Sequence, residues 1–215
     1  MKSGSARRSP PRGSSAAPSS WCPRSGTAEA SLRRLRTDYL DLLLVHWPNP
    51  AVPLAETLEA FLALKRDGKV RQIGVSNFTV RLLQEATAIA GEALLANQVE
   101  YHPFLSQRPV HRFLVEHDMM LTAYCPLARG RVAEDPVIRA VAAKHSRTPA
   151  QVTLRWLLDQ DRVAAIPKAA SDTHRLANLA VFDFALDDED RRRIDALRGS
   201  YRIANDSISP DWDAA

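Results

Sequence analysis

From Ala28 onward, apolar and polar positions alternate in two rhythms, and each rhythm predicts one kind of element. Short apolar runs with polar boundaries are typical of strands buried in a parallel sheet. Apolar positions three or four residues apart are typical of amphipathic helices. The runs predict five strands, around residues 40–46, 71–75, 94–99, 120–124 and 163–167, with helices before, between and after them. This alternation predicts an α/β fold with right-handed crossovers.

Boundary residues support these helices and strands. The run at 40–46 is continuous, so we expect a strand buried on both faces. A helix over residues 55–68 ends at Gly68, a common C-terminal stop. The core positions of that helix are Leu58, Phe61, Leu62 and Leu64. Predicted N-terminal caps are Thr79, Asp135 before Pro136, and Thr148 in a capping box with Gln151.

Polar side chains follow every predicted strand where it ends. In parallel sheets these ends lie on one face, the face that carries the chemistry in barrels and open sheets. Any one of these residues can be structural, and His46 alone fits a core histidine with one hydrogen-bond partner. Five strands with the same feature predict a shared site. Its candidates are His46, Ser76, Asn77, Gln98, Glu100, Tyr124 and Lys168.

Composition divides the chain near residue 27. Residues 1–27 are rich in Ser, Pro and Arg, so we expect a disordered leader, followed by one domain over 28–215. Five of the 29 Lys and Arg lie in the leader, and the other 24 face 25 Asp and Glu. A body near neutrality without a basic stripe argues against nucleic-acid binding.

Cysteine usage and hydropathy indicate a reducing compartment. Cys22 and Cys125 are the two cysteines, which gives neither a disulfide framework nor a cysteine-based metal spacing. Apolar runs are too short to cross a bilayer, and the N-terminus lacks the apolar stretch of a secretory signal. We therefore expect a cytoplasmic protein without a membrane or metal site.

Common nucleotide and hydrolase motifs are absent. No G-x-G-x-x-G follows a strand, and neither a phosphate-binding P-loop nor a G-x-S-x-G elbow occurs. Six histidines lack metal-ligand spacing, and His111 and His117 lie on or beside a helix that we expect to face water. With these motifs excluded, six sequence segments are informative about function. In chain order they are "SLRRLRTDYLDLLLVHWPNP", "GKVRQIGVSNFT", "NQVEYHPFLSQ", "LTAYCPLARG", "TPAQVTLRWLL" and "IPKAASDTHRLANL".

Together these segments resemble the aldo-keto reductase family over roughly residues 28–212. Within it, "LRTDYLDL", "HWPNP" and "SPDWD" are most similar to the bacterial diketogluconate (methylglyoxal) reductases. The resemblance implies a TIM-type (β/α)8 barrel that binds extended NADPH without a Rossmann motif and reduces small aldehydes or ketones. For the complete family fold it implies a monomer.

The resemblance also implies roles for individual residues. His46 corresponds to the histidine that orients the substrate carbonyl, and Trp47 to an aromatic residue of the substrate pocket. The expected cofactor residues are Ser76, Asn77 and Gln98 for the carboxamide, Tyr124 for the nicotinamide ring, Cys125, Leu127 and Arg129 for the pyrophosphate, Lys168 for the 2′-phosphate, and Asn178 for adenine. Where the family often has serine, this chain has Cys125.

Two further departures concern the adenosine end of the cofactor site. The family usually has arginine at the place of His174, and Arg175, one position on, is the candidate substitute. The resemblance implies an acidic residue just before Asn178, whereas this chain has Ala177 there. The preference for NADPH over NADH therefore depends mainly on Lys168, because a phosphate monoester favours a cation.

The largest departure is at the N-terminal side. Five of the family's eight strand–helix units are recognisable, so we expect an N-terminally truncated, incomplete barrel. The missing units would carry the catalytic tyrosine, lysine and aspartate, and we find no replacement: Tyr39 precedes its strand, and no lysine is evident beside Tyr101. Open sheet edges would also permit association.

Three functions remain open from the sequence. One is an NADPH-dependent carbonyl reductase with impaired or absent turnover. Another is a catalytically silent fragment or weak NADPH-binding module. A third is a different barrel enzyme, such as an isomerase, that uses His46 as a general acid or base.

Overall fold

The computed structural model describes residues 25–205 and 208–213. Five strands form one sheet: β1 (Leu40–Val45), β2 (Val70–Ser76), β3 (Leu94–Glu100), β4 (Met120–Tyr124) and β5 (Val163–Ala165). Eight α-helices accompany them: α1 (Ser25–Leu35), α2 (Leu54–Arg66), α3 (Val80–Ala90), α4 (Arg108–Glu116), α5 (Pro136–Lys144), α6 (Pro149–Leu158), α7 (Asp172–Leu179) and α8 (Asp188–Asp195). Short 3-10 turns lie at Gly91–Ala93, Ala128–Ala133 and Ala180–Phe182.

The sheet confirms the predicted α/β architecture. Its strand order is β1-β2-β3-β4-β5, and every neighbouring pair is parallel. Each strand therefore returns to the sheet through helical segments on one side. One hydrophobic core lies between the sheet and these helices, and it includes Leu58, Ile73, Leu83, Leu121 and Ile138.

Predicted helix boundaries and caps agree closely with the structure. The Thr79 side chain accepts from the Leu82 amide at 3.4 Å, and Asp135 accepts from two amides at the start of α5. The capping box of Thr148 and Gln151 is present. Gly68 follows α2 with φ 71°, a conformation that favours glycine.

The predicted start of the domain shifts by three residues. Helix α1 begins at Ser25, whereas the change in composition placed the boundary at Ala28. Ala28 and Leu32 pack into the core. The rest of the predicted leader, residues 1–24, lies outside the described residues.

The expectation that the first strand is buried on both faces is wrong. Residues of β1 are at best partly buried, and Asp41 is exposed. The reason is that β1 pairs only with β2 and is an edge of the described sheet. The other edge, β5, has three residues, fewer than the run at 163–167 predicted, and Ile166 beyond it is 45% exposed.

A glycine permits close packing in the middle of the sheet. A Cβ atom on Gly74 would lie 2.6 Å from the Ala96 carbonyl oxygen and 2.8 Å from a Leu44 methyl carbon. The pairing of β2 with β3 also shifts register between Ile73 and Val75. A side chain at position 74 would therefore push β2 away from a neighbouring strand.

Candidate active site at the strand ends

The register of the sheet brings the C-terminal strand ends together. Val45 pairs with Val75, Ser76 with Gln98, and Glu100 with Tyr124. The Ser76 hydroxyl donates to the Gln98 carbonyl oxygen at 2.8 Å. The structure thus places four neighbouring strand ends at one level of the sheet, as the sequence predicts.

Asn77 connects the strand ends. Its Nδ2 donates to the His46 carbonyl oxygen at 2.9 Å and to the Ser76 Oγ at 3.2 Å, and its Oδ1 accepts from the Tyr124 hydroxyl at 2.8 Å. Its backbone amide donates to the Gln98 carbonyl oxygen at 2.9 Å. Asn77 is 1% exposed and has φ 64°, a left-handed conformation that asparagine tolerates better than most residues.

His46 lies at the start of the loop after β1, with its ring only partly buried. Its Nδ1 is buried and has no hydrogen-bond partner among the described residues. The Trp47 ring stands edge-on to the imidazole, with ring centroids 6.2 Å apart. Because buried polar atoms are rarely unpaired, this nitrogen indicates an interaction that the described residues do not provide.

Tyr124 acts here as a neutral hydrogen-bond donor. Burial raises the pKa of its hydroxyl well above the usual range, and the negative charge of Glu100 adds to the effect. The hydroxyl therefore stays protonated at neutral pH. Its bond to Asn77 leaves the second lone pair of the Asn77 carbonyl oxygen available to another donor.

The loop after β4 contains a run of left-handed residues. Cys125, Ala128 and Arg129 have φ values of 48°, 45° and 52°, and Gly130 has 98°. Burial raises the pKa of the Cys125 thiol, although a hydrogen bond with Arg129 opposes the rise. Leu127 packs against the core. The loop thus exposes Arg129 beside the strand ends while its apolar residues anchor it.

Lys168, Arg175 and Asn178 form a second group beyond β5. Lys168 is exposed in the loop before α7, and Arg175 and Asn178 lie on α7. The Arg175 guanidinium pairs with Asp172 and donates to the Ala170 carbonyl oxygen at 3.1 Å.

Sequence reasoning missed the individual contacts that the C-terminal tail makes beside the strand ends. Trp212 stands edge-on to Trp47 with centroids 6.1 Å apart, and the Arg202 guanidinium lies 3.7 Å above the Trp212 ring. The Asp213 carboxylate accepts from the Val80 amide at 2.9 Å. One signal in the sequence was Glu100, a charged residue at the end of an apolar strand, because a buried charge requires partners.

Two other tyrosines and two other histidines could be considered as catalytic residues, but each has a contact that gives it a structural role. The Tyr101 hydroxyl donates to Gln160 Oε1 at 2.6 Å, and the Arg71 guanidinium lies 3.9 Å above the Tyr39 ring. His111 bonds the Asp161 carbonyl oxygen, and His117 stacks on the Phe113 ring with centroids 3.9 Å apart. These contacts favour the structural interpretation of all four.

Neither a metal centre nor a membrane-spanning helix occurs within residues 25–205 and 208–213. No group of three His, Cys, Asp or Glu side chains there could hold a metal ion. No helix in the same part of the chain is long and apolar enough to cross a membrane.

Parallel strand–helix units with polar residues at the strand ends define an α/β fold with a candidate site at one end of its sheet. The Aldo/keto reductase family model matches residues 26–198. Methylglyoxal reductase DkgB of Escherichia coli O157:H7 is 40% identical over 187 residues, which cover 85% of this chain and 70% of the relative. The chain therefore belongs to the aldo/keto reductase family.

Solved structures agree with this assignment. A crystal structure of a 2,5-diketo-D-gluconic acid reductase B is similar with a TM-score of 0.86 and 41% identity, covering 88% of this chain and 68% of that one. A Gox0644 variant in complex with NADPH gives a TM-score of 0.81 and 39% identity, covering 87% and 69%. These neighbours are (β/α)8 barrels, and the present chain corresponds to part of such a barrel.

Proposed function

We propose that this chain binds NADPH across its strand ends and contributes His46 to the reduction of small aldehydes or ketones, with impaired turnover. The observation that carries the proposal is the hydrogen-bonded set of Ser76, Asn77 and Tyr124 beside the partly exposed ring of His46. Family membership supplies the reaction class, and a relative that binds NADPH supplies the cofactor.

The residues present suit this cofactor. Asn77 and Gln98 offer amide groups for a carboxamide, and the Tyr124 ring offers a flat face to a planar heterocycle. Exposed cations at Arg129 and Lys168 suit the phosphates. Bound NADPH would supply a hydride. The chain's own residues hold the cofactor and orient the carbonyl group.

His46 is the residue that we assign to the carbonyl oxygen. A ring N–H can donate a hydrogen bond to that oxygen and stabilise the negative charge that develops on it. Trp47 flanks the ring at the edge of the cluster, and the buried Nδ1 has no hydrogen-bond partner among the described residues. Trp47 and Trp212 provide an apolar wall for the rest of a small substrate.

We propose impaired turnover because of the hydrogen-bond partners of the tyrosine hydroxyls in the described residues. Reduction of a carbonyl needs a proton donor for the oxygen. Tyr101 and Tyr124 donate to Gln160 and Asn77, and no tyrosine hydroxyl bonds a lysine in the part of the chain that the structure describes. The same observation favours the second candidate, an NADPH-binding module without turnover.

Oxidation of NADPH with methylglyoxal, the compound named for the DkgB relative, separates the two candidates. We expect slow turnover that His46→Ala lowers by about tenfold or more, since hydrogen-bond donors to a developing oxyanion have effects of at least this size. His111→Ala, whose ring contacts Asp161 instead, is the matched control and should leave the rate unchanged. Absence of turnover in the unmodified protein, with His46→Ala indistinguishable from it, would establish the silent module.

A further inference from the structure

The C-terminal tail, residues 200–205 and 208–213, crosses the strand ends and is attached at several points. Ser200 forms a bridge with Leu105, and the Tyr201 amide donates to the Phe104 carbonyl oxygen at 3.1 Å. Near the end of the tail, Asp213 accepts from the first amide of α3. Between these attachments, two backbone amides of the tail also donate to a buried charge.

That charge is Glu100, whose side chain is 0% exposed at the end of β3. Its Oε1 accepts from the Ile203 amide at 2.8 Å and lies 2.9 Å from His102 Nε2. Its Oε2 accepts from the Ala204 amide at 2.6 Å. A short stretch of tail backbone therefore directs two successive amides at one carboxylate.

The carboxylate is held ionised by the groups around it. Burial by itself opposes ionisation of Glu100, but hydrogen bonds from His102, Ala204 and Ile203 outweigh it and keep the pKa below its ordinary value. Both carboxylate oxygens already accept from protein donors. Glu100 thus lacks the proton that a general acid donates, and its oxygens are buried and already bonded, unlike those of a general base.

The anchored segment sets the position of the aromatic wall. Arg202 immediately precedes the two anchored amides and stacks on Trp212, and Trp212 in turn contacts Trp47 beside His46. A tail released from Glu100 would carry Arg202 away from this stack. The wall beside the imidazole would then lose one of its two indole rings.

We propose that Glu100 is a positioning residue that latches the C-terminal tail over the strand ends and thereby forms the Trp47–Trp212 side of the substrate pocket. The effect on the carbonyl ligand rests on the proposed function, whereas the effect on the tail does not. Charge-assisted hydrogen bonds of a buried carboxylate are among the stronger single contacts in proteins, which suits a latch.

Limited trypsin digestion followed by mass spectrometry tests the latch without any ligand. Glu100→Gln keeps the size of the side chain but cannot accept equally well from both tail amides. We expect cleavage after Arg202 to accelerate by about tenfold or more, because a hydrogen bond to a charged group is lost. Asp190→Asn, which alters another fully buried carboxylate that contacts α5, is the matched control and should leave this cleavage rate unchanged. An unchanged rate in Glu100→Gln, or an equal increase in both variants, would overturn the proposal.

A second variant acts from the tail side and leaves the buried charge intact. Ala204→Pro removes one donor, because proline has no amide hydrogen. We expect it to accelerate cleavage after Arg202 as Glu100→Gln does, and it decides alone if Glu100→Gln fails to fold. Normal thermal unfolding of Ala204→Pro with an unchanged cleavage rate would contradict the latch.

Ligand titrations separate positioning from a general structural role. Methylglyoxal is titrated into the NADP+ complex and followed by tryptophan fluorescence, while NADPH binding is measured alone. We expect both variants to weaken methylglyoxal binding by about tenfold and to change NADPH affinity little, as loss of one pocket wall predicts. Equal weakening of both ligands would reject positioning of the pocket. Failure of the unmodified protein to bind NADPH would reject the proposed function, and the digestion result would still decide the latch.

Discussion

At the scale of single residues, Asn77 has the largest number of separate tasks. It adopts a left-handed backbone conformation, it is almost completely buried, and its amide group joins His46, Ser76 and Tyr124. Left-handed conformations are costly for most side chains, whereas asparagine and glycine accept them. The sequence predicted Asn77 as a site residue from its place after a strand. Its backbone conformation and its bond to Tyr124 required three-dimensional contacts between residues far apart in the chain.

Substitutions at Asn77 separate the backbone contribution from the side-chain contribution. Both Asn77→Gly and Asn77→Ala remove the side-chain hydrogen bonds, but only glycine accepts φ 64° without strain. We therefore expect Asn77→Ala to have the lower free energy of unfolding, by about 1 kcal/mol, in urea denaturation. Equal stability of the two variants would contradict a strained backbone at this position.

At the scale of elements, periodicity predicted the helices well and the sheet edges poorly. Helices α3, α5 and α6 have the predicted caps because N-capping depends on residues two or three positions apart. Burial of β1 depends on which strands lie beside it, and the run LDLLLV does not contain that information. The same reason explains why the tail was predicted only as a loop: its contacts with Glu100 and Val80 join positions more than 100 residues apart.

A charged cluster fastens α8 to α5 and predicts a pH dependence of stability. Lys144 lies between Asp187 and the buried Asp190, and His145 bonds Asp190 at 2.6 Å. The hydrogen bond from Lys144 lowers the pKa of Asp187 to about 2 from its ordinary value of 3.8. A carboxyl group with a lower pKa in the folded state stabilises the fold above its ordinary pKa, and the effect is lost as the pH falls.

We therefore expect the free energy of unfolding to fall between about pH 4 and about pH 2, measured by urea denaturation across this range. Asp190→Asn should flatten this dependence, because it removes one of the two carboxylates that Lys144 holds. Asp161→Asn, whose side chain lies outside the cluster, is the control and should retain the full slope. A slope in Asp190→Asn that equals that of the unmodified protein would show that the cluster does not contribute.

At the scale of the whole molecule, three large apolar side chains that follow β5 in the chain are exposed to solvent. Leu176, Leu179 and Phe182 are spaced three positions apart and are 66%, 68% and 68% exposed, in the segment that follows β5. Unpaired strand edges and apolar stripes of this kind promote association between chains. The sequence predicted these edges from the count of strand–helix units, and the described sheet has them at β1 and β5.

We expect self-association that rises with protein concentration, measured by size-exclusion chromatography with light scattering. Leu179→Glu should shift the distribution towards the monomer, because a charge interrupts the apolar stripe. Gln84→Glu adds the same charge at an exposed position on α3 and should have no such effect. A single monomeric species at every concentration of the unmodified protein would contradict association through these surfaces.

Fluorescence titration with NADPH tests the proposed cofactor site most directly, in the unmodified protein and in two lysine variants. We predict saturable binding of one NADPH per chain, weakened about tenfold or more by Lys168→Ala, because a charge-assisted contact with the 2′-phosphate is lost. Lys65→Ala removes a cation from α2, where Lys65 bonds Gln72, and should bind NADPH like the unmodified protein. Absence of saturable binding, or equal weakening in both variants, would contradict an NADPH site at the strand ends.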